Sequence, residues 1–244
     1  MNMDRTPGRT LRWAIIIPVY NHGAMIGDVI RDCRPLGTTI FVIDDGSTDN
    51  TGAVLARTRD IVLLRHPENR GKGAALLTGF AAARQQGFDT AITLDGDGQH
   101  LPRDCSRLLA AAAQAPPCLV VGRRQRMEAR AGVPWTSRFG RDFSNFWVRV
   151  SGGPRLGDSQ SGFRLYPLPQ VLELGVRSRR YQFEVEVLVR ARQHRLPVLE
   201  VPVRVIYQPR GERVSHFRPW VDFFRNSWTF TRLITARIFR RPRP

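Results

Sequence analysis

Lysine is almost absent from this chain: of its 38 basic residues only Lys72 is lysine. An arginine at any one position therefore says little by its identity, and the placement of charge has to be read instead. Cysteine is scarce too. Cys33, Cys105 and Cys118 are far apart and form no metal-type spacing, and their odd number argues against a disulfide framework. The expectation is three reduced thiols in a cytosolic protein. No apolar run approaches the roughly 20 residues that a membrane-spanning helix needs. The longest, Trp13 to Tyr20 and Ala74 to Ala83, are short or interrupted. No apolar leader precedes Leu11, so secretion is not expected. The nucleotide-binding signature G-x-x-x-x-G-K-[ST] is missing as well, which argues against a kinase or ATPase.

What is present is an ordinary globular composition, 42% hydrophobic and 24% charged over 244 residues, enough for one large α/β domain. The net charge of +17 is unevenly spread. Residues up to Gly122 carry 13 basic and 12 acidic side chains, and those from Arg123 onward carry 25 and 9. The second half is therefore expected to meet a polyanion: nucleic acid, an anionic membrane surface or a phosphorylated substrate.

The first half alternates strand and helix patterns, which implies a mostly parallel sheet flanked by helices. Strands are expected at 14–19, 39–43, 61–64, 90–94 and 119–121, with helices near 24–34, 73–86 and 105–114. Ser47 or Thr48 is a candidate helix cap. Beyond Gly122 the reading is a basic loop over 123–131, a helix over 137–150, a short strand over 162–166, a helix over 184–194, a strand or hairpin arm over 198–207 and a long amphipathic stretch over 217–240.

Three clusters carry chemistry. Asp95-Gly96-Asp97-Gly98-Gln99-His100 follows an apolar strand, and its two carboxylates can converge on one hard cation, with the Gln99 amide oxygen one step further. A solvated acidic turn is the alternative. Asp44-Asp45-Gly46-Ser47 places a second acidic pair at a strand's carboxyl end, where open α/β sheets bind ligands. It reads equally as an Asp-Gly turn. Asn69-Arg70-Gly71-Lys72-Gly73 is a glycine-rich loop opening a helix, suited to a phosphate or a base edge.

Together with Ile17-Pro18-Val19-Tyr20-Asn21 and Asp158-Ser159-Gln160-Ser161-Gly162-Phe163-Arg164, these motifs resemble glycosyltransferase family 2 and its GT-A fold over about residues 13–216. Within it the chain looks most like the dolichyl- or polyprenyl-phosphate sugar transferases. The run Glu212 to Pro219 is also similar to bacterial members that accompany aryl-polyene pigment synthesis.

The resemblance implies a domain over 1–216, with a nucleotide-sugar half at about 13–122 and an acceptor half at about 123–216, then a basic amphipathic helix and tail over 217–244. It implies a UDP- or GDP-sugar donor, Mg²⁺ or Mn²⁺, and a lipid-linked acceptor such as polyprenyl phosphate. Pro18, Tyr20, Asn21 and Asp44 or Asp45 would line the donor, with Gly71 and Lys72. Asp95 and Asp97 would hold ribose and metal, and Gln99 would complete the metal shell. Arg123, Arg138, Arg213 and His216 would sit around the acceptor end. His22 stands where members often carry glutamate, which leaves the choice of base open.

Direct displacement with inversion is expected. A phosphate acceptor needs no strong base, whereas a hydroxyl acceptor would need Asp158, Glu184 or Glu186. Asp158 reads equally as a turn former, and the two glutamates as helix-face charges or partners of Arg190. Trp220, Phe224 and Trp228, with Arg218, Arg225 and Arg232, describe either an interfacial helix or one packed on the core. A cytoplasmic enzyme, peripheral on the inner membrane face, follows. A nucleic-acid-binding protein would explain the basic half but not the acidic strand ends. A nucleotidyltransferase would carry a glycine-rich signature near the first strand, which is absent.

Overall fold

The computed structural model describes residues 11–115, 117–125, 135–206, 227, 229–231 and 234–235, with 135–140 as backbone only. A seven-stranded sheet runs through it: β1 (Trp13–Val19), β2 (Ile40–Asp44), β3 (Val62–Arg65), β4 (Thr90–Thr93), β5 (Leu119–Arg124), β6 (Arg164–Pro167) and β7 (Val198–Val203). The helices are α1 (Gly23–Cys33), α2 (Thr51–Arg57), α3 (Lys72–Gln85), α4 (Cys105–Gln114), α5 (Trp135–Val150), α6 (Leu168–Glu173) and α7 (Phe183–Gln193).

The strand order is β3-β2-β1-β4-β6-β5-β7. Every pairing is parallel except those of β6, which runs antiparallel between β4 and β5. The central strands are buried on both faces, which is why they read as continuous apolar runs. In β1, Ala14 and Ile16 face one core with Phe80 of α3 and Leu188 of α7. Ile15 and Ile17 face the other with Ile26 and Ile30 of α1 and Leu108 of α4. Pro18 lies beyond the β1–β4 ladder, which ends at Ile16 opposite Thr93, so its missing N–H removes no bond from that side.

The direction of β6 decides what reaches the site. Because it runs against β4, its first residue lies at the carboxyl end of β4, with Arg164 opposite Thr93. The loop 158–163 that precedes it is therefore delivered to the same edge as the loops after β1, β2 and β4. Near the other terminus, Phe230 is buried and its ring stacks on Trp147 of α5 at 6.0 Å between centroids. That contact is core packing, while Trp220, Phe224 and Trp228 lie outside the described residues, as does the proposed boundary at 216.

Candidate active site

The loops after β1 and β2 are stitched together by side chains. Asn21 sits at φ 53°, a left-handed conformation that asparagine tolerates. Its Oδ1 accepts the Thr48 N–H at 2.8 Å, and its own N–H donates to Ser47 Oγ at 3.0 Å. Ser47 and Thr48 thus hold Asn21 rather than capping a helix. Asp49 takes that place, accepting the Thr51 N–H at 2.9 Å through Oδ1 and the Gly23 N–H at 3.1 Å through Oδ2. Pro18 is buried and Tyr20 half-buried beside this clasp. Asn21, expected among the donor contacts, is a clasp residue in this arrangement.

Asp44 and Asp45 are both buried, at 1% and 2% exposure, and do different things. Asp44 Oδ1 accepts the Ser47 N–H at 2.9 Å, and its other oxygen lies 3.2 Å from Arg65 Nε. Asp45 is the anchor of the glycine-rich loop. Its oxygens accept the Arg70 N–H at 3.0 Å and the Gly71 N–H at 2.7 Å. His66, just past β3, stands 2.6 Å from Asp45 through Nδ1 and 3.0 Å from Thr78 Oγ1 through Nε2. A carboxylate only accepts, so Nδ1 is the donor. The Arg70 and Gly71 amides, expected to receive a phosphate or a base edge, are thus spent on Asp45. Gly73 answers a different need: a Cβ there would stand 2.7 Å from Phe183 Cβ and 2.8 Å from Ser178 O. The start of α3 presses against the segment leading into α7, and the Ala74 N–H donates to Arg179 O at 2.8 Å.

That contact brings Lys72 to the centre of the site. Its ammonium lies 2.6 Å from Asp95 Oδ1 and 2.5 Å from Glu184 Oε1. Burial disfavours the charged amine, but the two carboxylates outweigh it and hold the Lys72 pKa above the ordinary lysine value. Burial likewise opposes ionisation of Asp95, while Lys72 and more distant cations keep its carboxyl below the usual range. A Cβ on Gly162 would fall 2.5 Å from Asp95 Oδ2 and 2.7 Å from Lys72 Nζ, so the loop before β6 closes on this cluster only because residue 162 has no side chain. Arg164 fixes the loop. Fully buried, it donates to Ser161 O at 2.7 Å, Ser159 O at 2.8 Å and Glu184 O at 2.8 Å. Thr93 Oγ1 donates to Gly162 O at 2.6 Å.

Asp97 is half-buried, and its Oδ1 accepts the Gln99 N–H at 3.1 Å. His100 is buried against Phe163, ring centroids 5.2 Å apart. Burial drives its pKa down to about 4, so the imidazole is neutral near pH 7. Among the described residues no three His, Cys, Asp or Glu side chains gather as a metal cluster. A magnesium-type site does not require one, because a carboxylate or two and substrate phosphates suffice. Asp97 and Gln99 fit that sparse donor set. Asp95, expected to share the metal, has its Oδ1 on the Lys72 ammonium.

On the acceptor side the register of β5 matters. Neighbouring strand residues face opposite ways. Arg124, not Arg123, points to Asp158 and clasps it with two bonds, Nε to Oδ2 at 2.6 Å and Nη2 to Oδ1 at 2.9 Å. Arg123 is exposed and lies along Gly157. Burial opposes the Asp158 charge, and the Arg124 hydrogen bonds and charge overcome it, holding the carboxyl below its ordinary value. Glu186, fully buried, accepts the Ser178 N–H at 2.9 Å and Arg190 Nε at 2.7 Å. It is the helix partner of Arg190. Arg138 lies in α5 where only backbone is described, and Arg213 and His216 fall outside the described residues.

Acidic groups at the carboxyl ends of β2 and β4, with Lys72 at the start of α3 and the loop before the antiparallel β6 closing on them, gather at the sheet edge where α/β proteins bind ligands. The sequence comparison agrees: the glycosyl transferase family 2 model matches residues 14–166, and the chain belongs to that family. It is therefore a glycosyltransferase. It is 30% identical over 79% of its length to the UDP-N-acetylglucosamine–dolichyl-phosphate N-acetylglucosaminyltransferase of Methanococcus voltae, covering 85% of that protein. It is 32% identical over 80% of its length to the polyprenol monophosphomannose synthase of Mycolicibacterium smegmatis, covering 77%. The fold is that of glucosyl-3-phosphoglycerate synthase from Mycobacterium tuberculosis, solved with Mn²⁺, UDP and phosphoglyceric acid. That likeness has TM-score 0.65 and 18% identity, over 92% of this chain and 78% of the other. The mostly parallel GT-A sheet expected from the sequence is thus the observed one.

Proposed function

We propose that this glycosyltransferase moves a sugar from a nucleoside-diphosphate sugar to a polyprenyl phosphate, with inversion, at the carboxyl edge of β1, β2 and β4. The observation that carries the reading is the linkage of three motifs through one cluster. Asp45 holds the glycine-rich loop, that loop delivers Lys72, and Lys72 joins Asp95 to Glu184. The two relatives named for dolichyl phosphate and polyprenol support the acceptor class.

The state of the carboxylates favours a phosphate acceptor over a hydroxyl one. A hydroxyl must lose a proton, whereas a phosphate is largely ionised at neutral pH. Each candidate base already faces a cation: Asp158 faces Arg124, Glu184 faces Lys72 and Glu186 faces Arg190. A divalent ion bound by Asp97, Gln99 and the donor phosphates would take up charge developing on the leaving diphosphate. The protein holds the donor against Asp95, keeps the 158–163 loop closed through Arg164, and presents cations to an acceptor phosphate that would otherwise be repelled.

Among the described residues no helix is long and apolar enough to cross a membrane. A lipid-linked acceptor would then be met at the inner membrane surface by a peripheral enzyme. The test is transfer from labelled UDP- and GDP-sugars to polyprenyl phosphate, with and without Mn²⁺. A labelled lipid product that needs both the metal and the lipid phosphate upholds the reading. Transfer to a hydroxyl lipid alone, or none from any donor, overturns it.

A further inference from the structure

The one lysine of the chain stands at a half-buried point where two carboxylates meet. Lys72 Nζ is 2.6 Å from Asp95 and 2.5 Å from Glu184, its side chain 17% exposed. Space there is tight, since even a methyl on Gly162 would come within 2.7 Å of Nζ. An ammonium is a compact point charge with three donors, and a guanidinium is a wide planar fork. In a chain that otherwise uses arginine throughout, this is a place with little room for a wider head group beside Gly162. The surroundings favour negative charge: Lys72 is the first residue of α3 and Glu184 lies in the first turn of α7, so two helix N-termini face the pair. Carboxylate oxygens about 2.5 Å from one centre also stand where they would hold a divalent ion.

We propose that the Lys72 ammonium serves as a built-in cation at the Asp95–Glu184 pair. It positions Asp95 as a fixed acceptor for the donor and confines the exchangeable metal to Asp97, Gln99 and the substrate phosphates. Lys72 is then a positioning residue. The inference rests on the proposed function only in assigning the donor to this cleft. Its decisive readout, the count of bound metal, needs no glycosyl transfer.

The first measurement is Mn²⁺ binding to the full chain by equilibrium dialysis, without donor. Lys72→Met removes the ammonium at nearly constant length and leaves two carboxylates aimed at one point. It should bind one more Mn²⁺ per chain than the parent and be stabilised by Mn²⁺ more strongly. The double variant Lys72→Met/Glu184→Gln should lose that extra ion. A folded Lys72→Met that binds no additional Mn²⁺ overturns the proposal.

A second measurement uses the unmodified chain, so it holds even if the variants do not fold. Reductive methylation, mapped by mass spectrometry at Lys72, should be slow and unchanged by saturating Mn²⁺. A Lys72 that becomes reactive when Mn²⁺ is added has been displaced by the metal, which also overturns the proposal. Lys72→Arg separates charge from size: it should bind as many Mn²⁺ as the parent while kcat falls by roughly a hundredfold, the order expected for a misplaced binding group. Full activity in Lys72→Arg refutes the size argument. If no donor is used by any form but the Mn²⁺ counts behave as stated, the functional reading fails and this one stands.

Discussion

Asp45→Asn separates two ideas about the acidic pair after β2. If Asp45 were chiefly a donor contact, the substitution would weaken donor binding and leave the fold alone. The geometry requires the reverse. Asp45 is 2% exposed and accepts from Arg70 N–H at 3.0 Å, Gly71 N–H at 2.7 Å and His66 Nδ1 at 2.6 Å. A carboxylate offers acceptors on both oxygens, whereas an asparagine offers one oxygen and a two-proton donor. Should the new oxygen face Gly71, the new NH₂ faces the Arg70 N–H and the His66 ring. His66 can change tautomer and accept, but the Arg70 amide then meets a donor with no acceptor in reach.

A hydrogen bond to a charged group contributes about 1.5–3 kcal/mol, and a stranded buried donor costs about 1–3 kcal/mol. The net expectation is a loss of about 3 kcal/mol, a large share of the roughly 5–15 kcal/mol that holds a domain together. At about 2–4 °C per kcal/mol for a chain of this size, melting should fall by about 10 °C. Urea unfolding followed by far-UV circular dichroism measures it: the midpoint should drop with its slope unchanged. A double-mutant cycle with Glu184→Gln should show coupling above about 0.5 kcal/mol, because Gly71 is bonded to Asp45 and the next residue is paired with Glu184. A variant within about 0.5 kcal/mol of the parent that nevertheless loses donor binding would refute the anchoring argument.

Three further outcomes follow from the same geometry. Arg124→Gln strands the buried Asp158 charge and should cost about 3–5 kcal/mol in urea unfolding, while Arg123→Gln, on the exposed face of β5, should stay within about 0.5 kcal/mol; equal effects would reverse the facing of the strand. The Asp158 carboxyl titrates lower in the folded chain than its ordinary value of 3.8. Its stabilisation is therefore complete above pH 3.8 and is lost as pH falls through the lower folded value. Melting curves below pH 4 should thus be flatter for Asp158→Asn than for the parent, and parallel curves would count against the pair. Phe230→Ala empties a buried ring position stacked on Trp147 and should cost about 3 kcal/mol with a red shift in tryptophan emission; an unchanged spectrum and stability would mean that Phe230 does not dock on Trp147.

What was legible in the sequence was what local pattern determines. Strands buried on both faces are continuous apolar runs, so β1, β2 and β4 were readable within a residue or two, and Cys105–Gln114 was read to its ends. The motifs at their carboxyl ends were readable for the same reason. What was not legible depends on partners far along the chain. Lys72 and Glu184 are 112 positions apart, and no period or spacing connects them. The antiparallel run of β6 is set by the pairing it finds, not by its four residues. The six-residue α6 has proline at its second position and is too short to show a helical period. The family resemblance places Arg123 just past a strand expected to stop at Val121. With the strand extended to Arg124, alternation alone assigns the inward side chain. His66 had a signal, standing one residue past β3 at the ligand-binding edge, but a single histidine there does not reveal a carboxylate 21 residues earlier.

The basic excess of the second half also changes meaning once the side chains are placed. As a tally it describes a surface offered to a polyanion. Among the described residues, three of those arginines are tied to the protein itself. Arg164 is fully buried and spends its guanidinium on main-chain carbonyls. Arg124 is committed to Asp158 and Arg190 to Glu186. Each holds a loop or helix at the active edge in one arrangement, and none is a cation waiting for a phosphate. A guanidinium makes five directed bonds without losing its charge, so it can tie several carbonyls or a whole carboxylate at once. An acceptor phosphate would therefore be met by a subset of the charge that the sequence counts. Neutralising exposed arginines such as Arg123 should weaken anion binding in a salt-dependent way, whereas neutralising Arg164 should act on the fold before it acts on any ligand.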